Sequence, residues 1–260
     1  MKISSAEERI IASGARACVR YAREKIQARW LPGEETISMD PDCSVDYAKF
    51  VIKGRWEPGE KAISENGAYG ANIQEAFVAD GYANHRVAVL DMKSGAVKRF
   101  WGAYGNVPSD SNFGPYNPDA PLINQFRTPV HCAEPSTDGL VYVCDRPNDR
   151  IQVFEKSGKF VKEKQVSPRT LGDGSVWDIA FSKDKDQKYL FLADGKNERI
   201  YVMDRKSLEI LTSFGDGGRQ PGMWFAVHSI ATDSKGNIFT TETYEGKRVQ
   251  KFASKGIGPV

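Results

Sequence analysis

Four stretches of the chain repeat one pattern, and this repeat limits the possible folds more than any other feature. They are FVADGYANHRVAVLD (77–91), VYVCDRPNDRIQVFE (141–155), FLADGKNERIYVMD (191–204) and IFTTETYEGKRVQKF (238–252). Each runs from an alternating apolar strand through an acidic residue and a short polar turn to an arginine and a second alternating strand. Arg86, Arg150, Arg199 and Arg248 hold equivalent places, and the last two intervals between them are both 49 residues. The first is 64, and its excess fits the proline- and asparagine-rich insert GNVPSDSNFGPYNPDAPLINQF (105–126), a surface excursion by its turn residues. An acid and an arginine on either side of a tight turn are suited to a salt link that clamps the hairpin. This structural role is the simplest one for the four arginines.

Each hairpin has further strands beside it. TPVHCAEP, GSVWDIAFS and FAVHSIATD lie upstream and are small and apolar; AVKRFWG, KFVKEKQV and EILTSFG lie downstream and are more polar. One unit is then four antiparallel strands, the first most buried and the last most solvated. Units of about 40–50 residues with four short strands are blades of a β-propeller around a central channel. The expected fold class is all-β, a propeller with four blades clear in the sequence, preceded by an amino-terminal α-helix.

The helix is expected over residues 5–30. Ser5 and Glu8 have capping-box spacing, and Ile11, Ala15, Val19, Ala22, Ile26 and Trp30 mark one face. LPGEE (31–35) ends it, giving a helical segment at 1–35 and a propeller domain at 36–260. Strands are expected around YAKFVIKGRW (47–56), although these residues do not align with the repeat.

Composition narrows the partners. Thirty-six basic residues against thirty-four acidic give no electrostatic case for nucleic acid or a membrane surface. No run approaches the roughly 18 apolar residues of a membrane span, and the first residues lack the apolar stretch of a secretory signal, so the chain as given reads as soluble. Small-molecule or peptide ligands fit better, with self-association through the amino-terminal region as a further expectation. Four cysteines without CxxC spacing (Cys18, Cys43, Cys132, Cys144) read by default as reduced structural thiols, although Cys132 and Cys144 are close enough in sequence to pair.

Aligning the first strands of the units makes Val130-His131, Val176-Trp177 and Val227-His228 equivalent. His131 precedes Asp145, and His228 precedes Glu242, by the same 14 residues. The second strand returns to the same face, so Tyr82, His131, Arg146 and His228 are expected at one rim of the channel. Two imidazoles there are candidate divalent-metal ligands, zinc being the usual choice. Arg146 suits a carboxylate held in bidentate fashion, and Tyr82 suits a general base. Two histidines are fewer than a typical catalytic zinc site provides, and buried histidines satisfied by the backbone would give the same sequence. His85, in a turn whose equivalents are Asp149 and Glu198, is expected at the surface. Trp177 reads as a pocket wall or as core. Arg150 recurs in every blade, whereas the counterparts of Arg146 are Gly81, Gly195 and Thr243.

The motifs VYVCDRPNDRIQVF, FVADGYANHRV and VHSIATDSKGNIFTTETYEGKRVQKF resemble NHL-repeat β-propellers. More closely they resemble bacterial relatives of peptidyl-α-hydroxyglycine α-amidating lyase, over roughly residues 76–258. The resemblance implies a six-bladed propeller that cleaves a peptidyl-α-hydroxyglycine to peptide amide and glyoxylate. It implies zinc on three histidines, a structural calcium, a tyrosine base and arginines. Tyr82 and Arg146 match the family's catalytic tyrosine and arginine, and His131 and His228 match two of its zinc histidines. No histidine precedes His85 to supply the third. Ser229 stands where the family has an aspartate ligand to calcium, which speaks against calcium. The family's arginine in the earliest blade has no match in residues 1–75. The alternative expectation is a non-catalytic propeller that binds a peptide, protein or small ligand at the same rim.

Overall fold

The computed structural model describes residues 3–53 and 74–256. The chain divides into two units, 1–74 and 75–260.

The first unit is helical. α1 (Ser5–Ala12) is capped by Ser4, whose Oγ accepts from Glu7 N while the Glu7 carboxylate accepts from Ser4 N. The capping box thus sits one residue earlier than expected. The single helix expected over 5–30 is broken at Gly14, whose φ of 92° lies outside the helical region. α2 (Ala15–Tyr21) follows, continued by one π-helical turn to Ile26. LPGEE opens a helix instead of ending one: α3 (Leu31–Ser38) has proline in its first turn, where a missing N–H costs nothing. α4 (Pro41–Tyr47) is capped by Asp40, whose carboxylate accepts from Cys43 N, and it continues as a π-helical turn to Ile52. Strands were expected around YAKFVIKGRW, and 47–52 are helical; 54–56 lie outside the described residues. Cys18, Val19, Ala22, Trp30, Ile37, Cys43 and Tyr47 form the core of this unit. The Tyr47 hydroxyl accepts from Trp30 N at 2.7 Å and donates to Glu34 at 3.1 Å.

The second unit is all-β. Its strands are β1 (Glu75–Asp80), β2 (Arg86–Asp91), β3 (Val97–Trp101), β4 (Val130–Pro135), β5 (Leu140–Asp145), β6 (Arg150–Glu155) and β7 (Phe160–Gln165), then β8 (Asp178–Phe181), β9 (Tyr189–Asp194), β10 (Arg199–Asp204), β11 (Ile210–Phe214), β12 (Val227–Thr232), β13 (Ile238–Glu242) and β14 (Val249–Phe252). They form four antiparallel meanders, β1-β2-β3, β4-β5-β6-β7, β8-β9-β10-β11 and β12-β13-β14. β1 packs on β4, and β8 packs on both β4 and β12, so the sheets stand side by side as the blades of a β-propeller.

The second strands of the middle blades, β5 and β9, are covered on both faces, which explains why they read as nearly continuous apolar runs. In β5, Val141 and Val143 pack with Val87, Val89 and Trp101 of the preceding blade. The intervening Tyr142 and Cys144 pack with Ile179, Leu190 and Leu192 of the next.

The acid–arginine clamp forms in three hairpins. Asp80 and Arg86 pair directly across β1 and β2, with Nε–Oδ2 2.8 Å; Asp145 and Arg150 do the same across β5 and β6 at 2.6 Å. Arg248 Nε donates to Glu242 at 2.8 Å. The fourth departs from expectation. Asp194 spends its oxygens on Lys196 N, Asn197 N and Asn197 Nδ2, and the buried Arg199 Nε has no hydrogen-bond partner.

The cysteines need one correction. Cys132 and Cys144 are joined in a disulfide rather than held as reduced thiols, because β4 and β5 set them directly opposite with Cα atoms 4.8 Å apart. Cys18 and Cys43 are free and buried. No helix among the described residues is long and apolar enough to cross a membrane.

The clamps differ in burial, and this sets their cost. Both side chains of the Asp145–Arg150 pair are fully buried, whereas those of Asp80–Arg86 are about 30% exposed. Arg150→Ala strands a buried carboxylate and should destabilise by about 3–5 kcal/mol. Arg86→Ala should cost about 1 kcal/mol or less. Urea unfolding of the two variants checks the ranking. Peptide mapping without reductant should recover Cys132 linked to Cys144 and Cys18 and Cys43 unlinked.

Candidate functional site

His131 and His228 reach the rim by the same device. In the β4–β5 ladder Val130 faces Asp145 and Cys132 faces Cys144, leaving His131 as the extra residue of a bulge. In the β12–β13 ladder Val227 faces Glu242 and Ser229 faces Thr241, leaving His228 as the extra residue. A bulge interrupts the alternation of faces and re-aims one side chain. The two rings meet edge to face with centroids 4.8 Å apart. Trp177 stands 5.9 Å from His131 and 5.5 Å from His228. It is buried and serves both as core and as a platform for the site.

The His131 tautomer follows from its neighbour. Nδ1 lies 2.5 Å from the Trp177 carbonyl oxygen, which can only accept, so Nδ1 carries the proton and Nε2 presents its lone pair. Burial, reinforced by the charges of Arg146 and His228, outweighs that hydrogen bond and pushes His131 down to about 4. Burial and then Arg146 lower His228 as well. Both imidazoles are neutral at pH 7.

Arg146 begins the short 3₁₀ turn Arg146–Asn148 that joins β5 to β6. The neighbouring blades show why this residue escapes the repeat. A Cβ at Gly81 would lie 2.1 Å from the Val130 carbonyl oxygen, so the turn after β1 has no room for a side chain. The 3₁₀ turn provides that room, and the Arg146 guanidinium lies over the Trp177 ring, 4.8 Å from its centroid. The loop at 171–174 closes against the same turn: a Cβ at Gly174 would lie 2.0 Å from the Arg146 carbonyl oxygen.

Two arginines four residues apart are treated very differently. Arg150 is saturated: Nε donates to Asp145, Nη1 to the Tyr104 hydroxyl at 2.9 Å, and Nη2 to the Gln125 carbonyl at 3.0 Å. Arg146 is 8% exposed, yet its buried Nε has no hydrogen-bond partner and its nearest carboxylate, Asp173, is 3.8 Å from Nη2.

Tyr82 stands at the mouth, 72% exposed, with its ring 6.3 Å from that of His131. The four residues chosen from the sequence therefore cluster around Trp177 and His131. His85 departs from expectation: it is buried instead of at the surface, because the insert folds over it. Its Nδ1 meets the Ser109 carbonyl oxygen at 2.5 Å and its ring lies 5.5 Å from Phe113. The insert also walls a cavity of about 640 Å³ beside Arg146, with His85, Phe113, Tyr116, Leu171 and Asp173 in its lining. Sequence reasoning passed over Phe113 and Leu171, which belong to no repeated strand.

The donor set falls short of a three-ligand zinc site. Among the described residues no group of three or more His, Cys, Asp or Glu side chains is arranged to hold a metal ion. The two imidazoles share their space with the Arg146 cation, and Ser229 Oγ is 3.1 Å from His228 Nδ1.

Fold and rim together define a β-propeller with an arginine, a tryptophan and two neutral imidazoles at one end of its channel. No protein-family model matches the chain. Among solved structures it is similar to hydrazine synthase of Kuenenia stuttgartiensis (TM-score 0.47, 16% identity, 68% of this chain and 42% of that one). It is also similar to the WD40 repeats of RRP9 (0.46, 14%, 69% and 48%) and to streptogramin B lyase (0.45, 16%, 71% and 52%). The chain spans about half the length of these structures or less.

The electrostatics of the pair can be measured directly. The His131 imidazole should titrate well below 6.5 by NMR, and Arg146→Gln should move both histidines upward by removing a neighbouring cation. The unfolded imidazole takes its proton near 6.5 and the folded one near 4. His131 therefore contributes stability that is whole above about pH 6.5 and is lost as pH falls towards 4. A wild-type midpoint near 6.5 would contradict the assignment.

Proposed function

We propose that the rim binds a small carboxylate ligand, free or as the C-terminal unit of a peptide, with Arg146 as the anchor. The observation that carries this reading is the unused guanidinium. A cation taken out of water without hydrogen bonds is costly, and a ligand that supplies two oxygens in one plane recovers that cost through paired N–H···O bonds. Trp177 holds the guanidinium by its face and leaves its edge for the ligand. Asp173, shared at 3.8 Å between Arg146 and Lys196, is a loose internal substitute for that oxygen pair.

A lyase-like reading goes further, and the convergence of Tyr82, His131 and His228 beside the anchor favours it. On an α-hydroxyglycine unit, Arg146 would hold the carboxylate and place the hydroxyl among Tyr82 and the imidazoles. The hydroxyl gives up its proton, its electrons form the carbonyl of glyoxylate, and the C–N bond breaks. The electron pair leaves with the nitrogen, which takes a proton and departs as the amide. His131 Nε2, neutral and unprotonated, is suited to accept a proton at the outset. This reading retains the NHL-type propeller resemblance; without turnover, the same residues make a binding site.

Calorimetry with simple carboxylates tests the anchor. Arg146→Ala should weaken binding about 10–100-fold, the worth of a charge-assisted hydrogen-bonded pair. Arg146→Lys should recover only part, since an ammonium cannot offer two parallel donors. Asp173→Asn, which removes the internal competitor, should tighten binding. Unchanged affinity in Arg146→Ala would overturn the proposal. Glyoxylate release from an α-hydroxyglycine peptide, lost in Tyr82→Phe, would establish the lyase reading; binding without release would leave a receptor site.

A further inference from the structure

We propose that the cavity of about 640 Å³ beside Arg146 is a subsite for the apolar body of the ligand, so that the site selects aryl- or alkyl-bearing carboxylates over acetate. The inference rests on the carboxylate anchor proposed above and adds the chemistry of the rest of the ligand. A carboxylate alone needs a small part of this space, which is in the range of pockets that enclose whole small molecules. One part of the lining is the turn that carries Arg146 and Pro147; Phe113 and Pro115 from the insert and Leu171 from the loop at 171–174 add apolar surface, set among polar neighbours such as Ser111 and Asn112. Leu171 is 58% exposed, an apolar side chain held at the mouth with its surface still in water. Burying that surface against a ligand is favourable.

The insert is fixed firmly enough to serve as a wall. Arg127 Nη1 donates to the carbonyl oxygens of Phe113 and Gly114, and its Nε donates to Asn148 Oδ1 at 2.8 Å. The Tyr116 hydroxyl donates to the Pro168 carbonyl at 2.8 Å. Asn148 belongs to the same 3₁₀ turn as Arg146, so the anchor and the apolar wall are joined through one side chain. Anchor and wall are thereby set for a ligand with a carboxylate at one end and a ring or alkyl chain at the other.

The test compares acetate, phenylpropionate and phenylpropanamide by calorimetry on the full chain. Phenylpropionate should bind about 10–100-fold more tightly than acetate, the worth of burying a phenyl ring. The amide, which keeps the ring and lacks the charge, should bind far more weakly than the acid. Leu171→Ser and Phe113→Ala should each reduce the preference for phenylpropionate over acetate; the exposed Leu171 makes the first variant safe for folding. Equal binding of acetate and phenylpropionate by the wild type, with both sensitive to Arg146→Ala, would overturn the subsite and spare the anchor. Failure of both acids to bind would overturn both.

Discussion

The buried pair of Asp145 and Arg150 ties a blade hairpin to the insert that walls the candidate site. It closes the β5–β6 hairpin from inside the blade, and its arginine also holds Tyr104 and the backbone of the insert at Gln125. Such a pair is weak evidence of net stability, because two desolvated charges only roughly repay each other. Its effect lies in fixing one arrangement. With all three nitrogens of Arg150 committed, the hairpin is closed from within, and Arg146 emerges from its turn over Trp177. The exposed version of the clamp in the first blade and the unpaired Arg199 in the third show that the repeat tolerates loss of the contact where less is attached to it.

Function therefore separates from architecture within five residues. Arg150 is spent on the blade, whereas Arg146 is buried to a similar degree and keeps its donors. Its charge also adds to the burial that holds the two imidazoles neutral. A permanent cation facing neutral bases, with an exposed tyrosine at the mouth, is a polarity suited to anionic ligands. It gives a second cation a poor welcome.

Much of the propeller was legible because alternation and turn residues are local. The four hairpins, the strands beside them and the clustering of Tyr82, His131, Arg146 and His228 all follow from counting along strands. What depends on pairing across strands was hidden. Cys132 meets Cys144 only because of the register of β4 and β5, and one bulge changes that register. Burial of His85 depends on where the insert lands, and an insert has no repeat to predict it. In the helical unit the short run YAKFVI suits either a strand or a helix, since six residues cannot tell a period of 2 from one of 3.6. The clamp at Arg199 is missing although Asp194 binds its turn asparagine just as Asp80 and Asp145 bind theirs, so the difference lies in side-chain geometry that a sequence does not display.

The bulges give the site an unusual independence from the fold. His131 and His228 are the supernumerary residues of their strands, so neither takes part in the regular ladder that aligns its blade. Removing one residue at each place would restore plain alternation in two inner strands and erase both imidazoles, and Trp177 would lose the contacts it makes with them. The histidine pair is thus carried by extra residues inserted into the inner strands and not by the residues that pair those strands.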